Sequence, residues 1–284
     1  MSMLLRAFAI ACLAFVSSAH AAIVINFANF ANCSTLQLNG NAACTANVLR
    51  VVPSAGGQAG SAFSQTLIPL GAGNSFSTFF SFRMSANGGS ADGDGLGADG
   101  FTFTVQPNAS TAGGSGGGMG YLGIPNSVAV EFDIWNNGPS FGDPDGNHVG
   151  IDLNGSINSV VVVPIATRLN DGNVWYAWVD YNGTVLEVRV SQSNVRPAAA
   201  TASFAVNLAS VIGAPQAFVG FTAGTGAAFA DHDILSWTFD NSFAPIGAPP
   251  AAASVANVPT LSHAMLVLAA LLVLTLAMRA LRRR

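Results

Sequence analysis

The sequence predicts an all-β protein whose body is one large antiparallel sandwich, and three observations carry that expectation. The chain holds 31 Gly, 19 Phe and no Lys in 284 residues. Many short runs alternate apolar and polar positions, and Gly, Asn, Asp or Pro punctuates them. No long helical periodicity precedes the C-terminal end, and a body of about 220 residues suits one sandwich better than two small domains.

Residues 1–21 carry Arg6, an apolar run over 7–16 and the small-x-small triplet Ala19-His20-Ala21. This reads as a secretory signal peptide, since the run is too short to span a bilayer. Cys12 leaves with it. The remaining pair, Cys33 and Cys44, in an exported chain reads as a disulfide, with free thiols or a metal pair as the alternatives. Strands are expected over 23–30, 46–52, 62–67 and 76–84. In the last of these, Phe76, Phe79, Phe80 and Phe82 interleave with Ser and Thr as in a half-buried strand that fills a core.

A Gly/Asp-rich loop over 85–100 follows, and Asp92 and Asp94 within it read as solvated turn residues. A strand over 101–105 and a glycine-rich loop over 112–123 come next. That loop is no phosphate cradle, because neither Gly-Lys-Ser/Thr nor a helix start follows it. Further strands are expected over 157–165, 174–181 and 185–190. Asn182-Gly183 between the last two is a strong hairpin signal, and Trp175, Trp178 and Tyr181 read as core and back-face residues. Strand character resumes over 216–239.

Charge excludes one partner class. The body carries five Arg against all 14 Asp and Glu, a net of −9 with His neutral, which disfavours nucleic acid.

The chemistry concentrates in residues 128–154. Val128, Val130, Phe132 and Ile134 alternate with Ala129, Glu131, Asp133 and Trp135, so one strand face presents Glu131, Asp133 and Trp135. A Gly/Pro/Asn/Asp loop, 136–146, leads into a second strand from His148 to Asp152. Two strands flanking such a loop can aim carboxylates, an amide and an imidazole at one point. Oxygen ligands from Asp133, Asn137, Asp143 and a backbone carbonyl suit calcium. The set Glu131, Asp133, Asp143 and His148, with one nitrogen, suits a transition ion such as manganese. Asp145 rivals Asp143 as the loop ligand, and Pro144 after Asp143 favours the latter. The alternative is a solvated acidic loop, which sits poorly in a chain with only 8% charged residues.

The pattern Glu131-x-Asp133-x-Trp135-x-Asn137, Asp143-Pro144 and His148-Val149-Gly150-Ile151-Asp152-Leu153-Asn154 resembles the metal-binding segment of the legume-type (L-type) lectins. Three other stretches resemble the same family in the same order: Ala98-Asp99-Gly100-Phe101-Thr102-Phe103, Gly120-Tyr121-Leu122-Gly123, and 218–226 followed by 232–239. The resemblance covers about 27–243. It implies a concanavalin-like antiparallel β-sandwich, or jelly roll, that binds glycans with the help of calcium and manganese. It also implies that Trp135 gives its carbonyl to calcium and its ring to the sugar, and that Asn137 contacts both ion and sugar. Asp99, after a cis peptide bond, accepts from two sugar hydroxyls, and the Gly120 N–H donates to another. Ala227 and Ala228 stand in the specificity loop, where relatives carry larger polar groups, and His232 is structural.

Residues 244–257, rich in Ala and Pro, form a linker. In 258–284, Val258-Pro259-Thr260-Leu261-Ser262 precedes an apolar run over 264–278 and Arg279, Arg282, Arg283 and Arg284. This resembles the C-terminal sorting tails of Gram-negative bacterial surface proteins, with a transmembrane helix whose basic end stays cytoplasmic. The tail either anchors the chain or is recognised and removed, so the chain is expected at the cell surface or outside the cell. Two other functions compete. A glycoside hydrolase on a similar sandwich needs a second carboxylate in Glu-x-Asp-x-x-Glu, and here that place holds Asn136. A structural matrix protein with an inert site would bind no glycan. The sequence therefore reads as a binder and not an enzyme, with its oligomeric state open.

Overall fold

The structure is a computed structural model, and it describes residues 23–113 and 116–247. The expected signal peptide, most of the linker and the tail with its transmembrane helix lie outside the described residues. Among the described residues no helix is long and apolar enough to cross a membrane.

In chain order the strands are β1 (Ile23–Phe27), β2 (Leu36–Gly40), β3 (Ala43–Thr45), β4 (Val48–Val52), β5 (Ala59–Ser64), β6 (Ile68–Pro69), β7 (Phe76–Gly89), β8 (Gly100–Gln106), β9 (Val128–Asp133), β10 (His148–Leu153), β11 (Val161–Pro164), β12 (Trp175–Tyr181), β13 (Val185–Ser191), β14 (Ala202–Ala205), β15 (Gln216–Gly224) and β16 (Ala228–Asp240). One short helix, α1 (Leu208–Ile212), is capped by the Asn207 side chain on the Ser210 N–H and closed by Gly213 at φ 68°. Two antiparallel sheets result. The back sheet runs β14-β13-β12-β7-β16-β4-β3 with β1 added beside β16. The front sheet runs β11-β10-β9-β8-β15-β5-β2 with β6 beside β15.

Between the sheets lies a phenylalanine core. Phe101 and Phe132, cross-strand partners on β8 and β9, stack with centroids 4.8 Å apart. Phe82 lies 5.1 Å from Phe132 and Phe80 meets Phe221 edge-on at 5.1 Å. Each buried ring stabilises the fold by roughly 1.5–3 kcal/mol through removal of apolar surface, before any gain from ring geometry. This core sits directly beneath the site, because the same register that pairs Phe101 with Phe132 pairs Gly100 with Asp133.

Several expectations need correction. The strand expected from residue 46 starts at Val48, since Ala46 and Asn47 take φ of 47° and 65° and make the turn from β3. The strand expected over 62–67 runs Ala59–Ser64, and that over 157–165 shrinks to Val161–Pro164. Strand β7 continues to Gly89, where its polar, Gly-rich end is carried by pairing with β16. Phe79 does not join the core: it turns outward beside Trp178, 5.1 Å away, while Thr78 takes the inward place and accepts from Trp237 Nε1. The hairpin at Asn182-Gly183 holds as expected, with Asn182 Oδ1 accepting the N–H of Thr184 and Val185. Cys33 and Cys44 are bonded, with their Cα atoms 6.4 Å apart.

Candidate functional site

Strands β9 and β10 pair so that His148 faces Asp133, Gly150 faces Glu131 and Asp152 faces Ala129. Glu131, Asp133, His148 and Asp152 therefore share one face of the front sheet. The alternative of a solvated acidic face does not hold, since every residue of β9 is buried. The cover is a second apolar cluster of Tyr121, Ile124, Ala129 and Ile157, with Phe141 packed against it. It seats the glycine-rich loop and the 136–146 loop on the sheet. Tyr121 locks the arrangement by accepting the Gly155 N–H at 3.0 Å and the Ser127 hydroxyl at 2.9 Å.

Ligand atoms of Asp133, Asp143 and His148 lie within 4.8 Å of one another. Glu131 Oε1 is 3.4 Å from His148 Nε2, and Asp145 Oδ1 is 3.3 Å from His148 Nδ1. Neither imidazole nitrogen makes a hydrogen bond, and the buried Asn137 Oδ1 has none either. Glu131 fits because Gly150 opposes it, where a Cβ would overlap its carboxylate and the Ser159 hydroxyl. The cluster is also wider than the sequence suggested. Ser159 Oγ lies between two carboxylates, 2.6 Å from Glu131 Oε1 and 2.5 Å from Asp152 Oδ1, with one hydroxyl proton to share between them, and Asp152 is fully buried. Period two along β10 places Asp152 on the His148 face, so that residue was legible. Ser159, beyond a turn, was not.

Electrostatics show what so many buried carboxylates cost. Burial, reinforced by Glu131 and Asp143, holds Asp133 well above the usual carboxylate range. Burial and Glu131 do the same to Asp152, and burial lifts Asp143 to about 6. Burial pulls the His148 imidazole down, but the nearby carboxylate of Glu131, with Asp143 and Asp145, leaves it raised. Carboxylates in this state bind either protons or a cation. The donors present, carboxylate and amide oxygens with one imidazole nitrogen, fit a calcium ion and a neighbouring transition ion.

The other expected residues lie around this cluster. The Ala98–Asp99 peptide bond is cis. Asp99 is 3% exposed, its Oδ2 lacks a hydrogen-bond partner, and burial followed by Asp143 raises its carboxyl to about 7. Its N–H donates to Gly224 O and its carbonyl accepts the Ile134 N–H, which ties it to β15 and to the end of β9. Gly120, at φ 71°, lies so close to Thr222 that a Cβ would be 3.0 Å from the Thr222 Cβ. The glycine-rich loop also reaches Asn137, since a Cβ on Gly117 would fall 2.6 Å from Asn137 Nδ2. Trp135 is half-buried, with its N–H on Asp133 Oδ1 at 2.7 Å. On the far side, a Cβ on Gly226 would lie 3.6 Å from Asp99 Oδ2, so the turn after β15 borders the same spot.

Two readings change. Ala228 is not a loop residue: it begins β16 opposite Gly89 and is 2% exposed, so Ala227 alone of the pair faces solvent. Asp92 and Asp94 are not merely solvated, because each accepts a backbone N–H from the 136–146 loop. Their short side chains in a Gly-rich stretch gave no sign of that in the sequence.

Comparison with known proteins identifies the family and the fold. A family model described as "Legume lectin domain" matches residues 23–252. The chain belongs to the legume lectin family. It is 35% identical over 196 residues to L-type lectin-domain containing receptor kinase VIII.1 of Arabidopsis thaliana, a match that takes in 64% of this chain and 26% of that one. The chain thus spans about a quarter of the length of that relative. Among solved structures, a lectin from Bauhinia forficata in complex with GalNAc superposes with a TM-score of 0.64 at 26% identity, over 76% of this chain and 96% of that one. Lectin II from Ulex europaeus does so with a TM-score of 0.62 at 30% identity, over 76% and 97%. The antiparallel sandwich described above is the legume lectin fold.

Proposed function

We propose that this lectin domain binds glycans in a calcium-dependent way, with manganese as the second ion. One observation carries the reading: a buried carboxylate with an unpartnered oxygen, Asp99, stands beside a cluster in which Asp133, Asp143 and His148 converge. Asp133, Asp143, Asn137 and the Trp135 carbonyl would hold calcium, and Glu131, Asp133, Asp143 and His148 the second ion. Asp143 is preferred to Asp145 because it belongs to the convergent group. When bound, the ions supply the positive charge that keeps these carboxylates ionised at neutral pH.

The chain's own groups do the recognition. Asp99 accepts from two neighbouring sugar hydroxyls, the Gly120 N–H and the Asn137 amide donate, and Trp135 offers a flat face to the apolar side of a pyranose. Such a site orders little on binding but competes with water at every hydrogen bond. Single contacts are therefore weak, and attachment depends on several copies on one surface. Ala227 leaves the specificity turn without a polar side chain. Hydrolysis is disfavoured, because the place a second carboxylate would occupy is Asn136, whose side chain is spent on the Gly138 N–H at 2.8 Å.

The test is a glycan array probed with the purified protein in calcium and again in chelator. Signal that is lost with chelator supports the reading, and equal signal in both, or none in either, overturns it. We further propose that the domain is exported and displayed on a bacterial surface, on the strength of the signal-like residues 1–21 and the Pro259-Thr260-Leu261-Ser262 tail. Cell fractionation and the mass of the mature chain test this.

A further inference from the structure

We propose that Asp92 and Asp94 are positioning residues that clamp both ends of the metal-binding loop and couple it to Asp99. The loop in question runs from Asn136 to Gly146. Its first N–H, on Asn136, donates to Asp92 Oδ2 at 2.9 Å, and its last, on Gly146, donates to Asp94 Oδ2 at 2.7 Å. Both are hydrogen bonds to a carboxylate oxygen, the stronger kind of acceptor. They reach across 44 and 52 positions of sequence, so neither is a by-product of local turn geometry.

The clamp is itself stiff. Asp92 Oδ1 accepts the N–H of Asp94 and of Gly95, each at 2.9 Å, and the Asp92 N–H donates to Gly95 O. Ala91 and Leu96 close the turn as a β-bridge. Asn170 Nδ2 then holds Leu96 O at 2.9 Å from the other side. Two residues further along stands the Ala98–Asp99 bond. A shift of either end of the metal loop is thereby passed to the carboxylate that accepts the sugar, without the ion touching it.

Gly146 supplies a second, independent sign. A Cβ there would overlap Asp92 Oδ2 and lie 3.0 Å from Asp94 Oδ2, so the two carboxylates close over a backbone that only glycine leaves open. This inference rests on the calcium-dependent reading above, and it adds residues outside the ligand set.

The experiment uses the purified full chain with calcium as the probe, and compares Asp92→Ala, Asp94→Ala, Asp92→Asn, Asp94→Asn and Gly146→Ala with wild type. Three quantities are read: the calcium concentration giving half-maximal glycan capture, the rate of calcium release into chelator, and the melting temperature in chelator. Asp94→Ala is expected to raise the half-maximal concentration and the release rate about tenfold, from the loss of one hydrogen bond to a carboxylate, and Asp92→Ala at least as much, since it also frees the N–H groups of Asp94 and Gly95. The melting temperature in chelator should fall by only about 2–6 °C, the cost of the lost hydrogen bonds in a domain that stays folded. Asp94→Asn, which keeps its acceptor oxygen, should recover most of the loss, and Asp92→Asn less, because one amide oxygen cannot replace both carboxylate oxygens. Gly146→Ala should resemble Asp92→Ala, and a chain carrying both Asp92→Ala and Gly146→Ala should fall short of the product of the two, as expected for groups in contact. Wild-type half-saturation and release in Asp92→Ala and Asp94→Ala would overturn the clamp, as would a loss in Asp94→Asn equal to that in Asp94→Ala. If wild type takes up calcium but captures no glycan, the functional reading fails while the release rates still decide the clamp. If it takes up no calcium, both fall.

Discussion

Acidification should weaken calcium binding, and the structure fixes the size of the effect. Asp143, lifted to about 6 by burial, is mostly protonated at pH 5, so calcium must displace a proton from it. Were the group fully enclosed, that would cost about tenfold in apparent affinity between pH 7.5 and 5. Asp143 is only half-buried, and solvent screening trims its share. Asp133, buried and held well above the usual carboxylate range by burial and Glu131, acts in the same direction, and about tenfold is expected. A ligand stabilises by RT ln(1 + [L]/Kd), so at fixed calcium tenfold corresponds to about 1.4 kcal/mol. For a domain of this size that is roughly 3–6 °C in melting temperature. The assay is thermal unfolding in calcium and in chelator at both pH values, reading the gap between the two samples.

The gap is the right quantity because two groups move the absolute values in opposite directions. Asp99 has a folded pKa raised to about 7. Its contribution in the metal-free protein is therefore fully present below the unfolded value of about 3.9 and lost as pH rises through 7, by at most about 4 kcal/mol. His232 has a folded pKa lowered to about 3 by burial, so it destabilises as pH falls below about 6.5. His232 is common to both samples and drops out of the gap. A gap that is equal at pH 5 and 7.5, or wider at pH 5, would refute the placement of these carboxylates around the ion.

Three substitutions extend the test. Asp99→Ala should abolish glycan capture while calcium affinity by calorimetry stays within about twofold, since Asp99 lies outside the ligand set; unchanged capture counts against its role. Asp133→Ala should lose calcium uptake and glycan capture together, and wild-type uptake would contradict the ligand assignment. His232→Leu should raise stability by about 1–3 kcal/mol near pH 6, because both ring nitrogens are buried without hydrogen bonds, and should flatten the acid limb of the melting profile; a fall in melting temperature would show that the imidazole has a partner.

Much of the fold was legible because period two survives in the sequence wherever one sheet face packs on the other. The Phe101, Phe103, Val128, Val130 and Phe132 positions are examples, all buried between the sheets. What escaped was held by pairing alone. The end of β7 reads Ser-Ala-Asn-Gly-Gly and has no apolar pattern, yet Ser85, Gly88 and Gly89 pair with β16. The ligand set was legible for a different reason: with only 14 Asp and Glu and 4 His in the chain, the crowding of carboxylates and an imidazole in one segment is a signal in itself. The carboxylates at Asp92 and Asp94 were illegible because their partners are backbone N–H groups, which no side-chain pattern marks.

A site of this kind needs a stiff floor, since its carboxylates repel one another and resist burial. Asp133 ends β9 and pairs with Gly100 of β8, while His148 starts β10. Two of the three convergent groups therefore sit on adjacent strands, and Asp99 directly precedes a third. Beneath them the Phe101 and Phe132 rings stack, and truncation of either to Ala should cost about 3–5 kcal/mol. That is comparable with the penalty of at most about 4 kcal/mol carried by Asp99 in the metal-free state. The aromatic core is thus large enough to keep the charged corner assembled before any ion arrives, so that an ion and a sugar meet groups already placed. Phe132→Leu should show the dependence: with the ring gone, metal-free stability falls and calcium affinity falls with it, because part of the binding energy is then spent on reassembling the corner. A variant that loses stability in chelator yet binds calcium as wild type does would separate the core from the site and defeat this account.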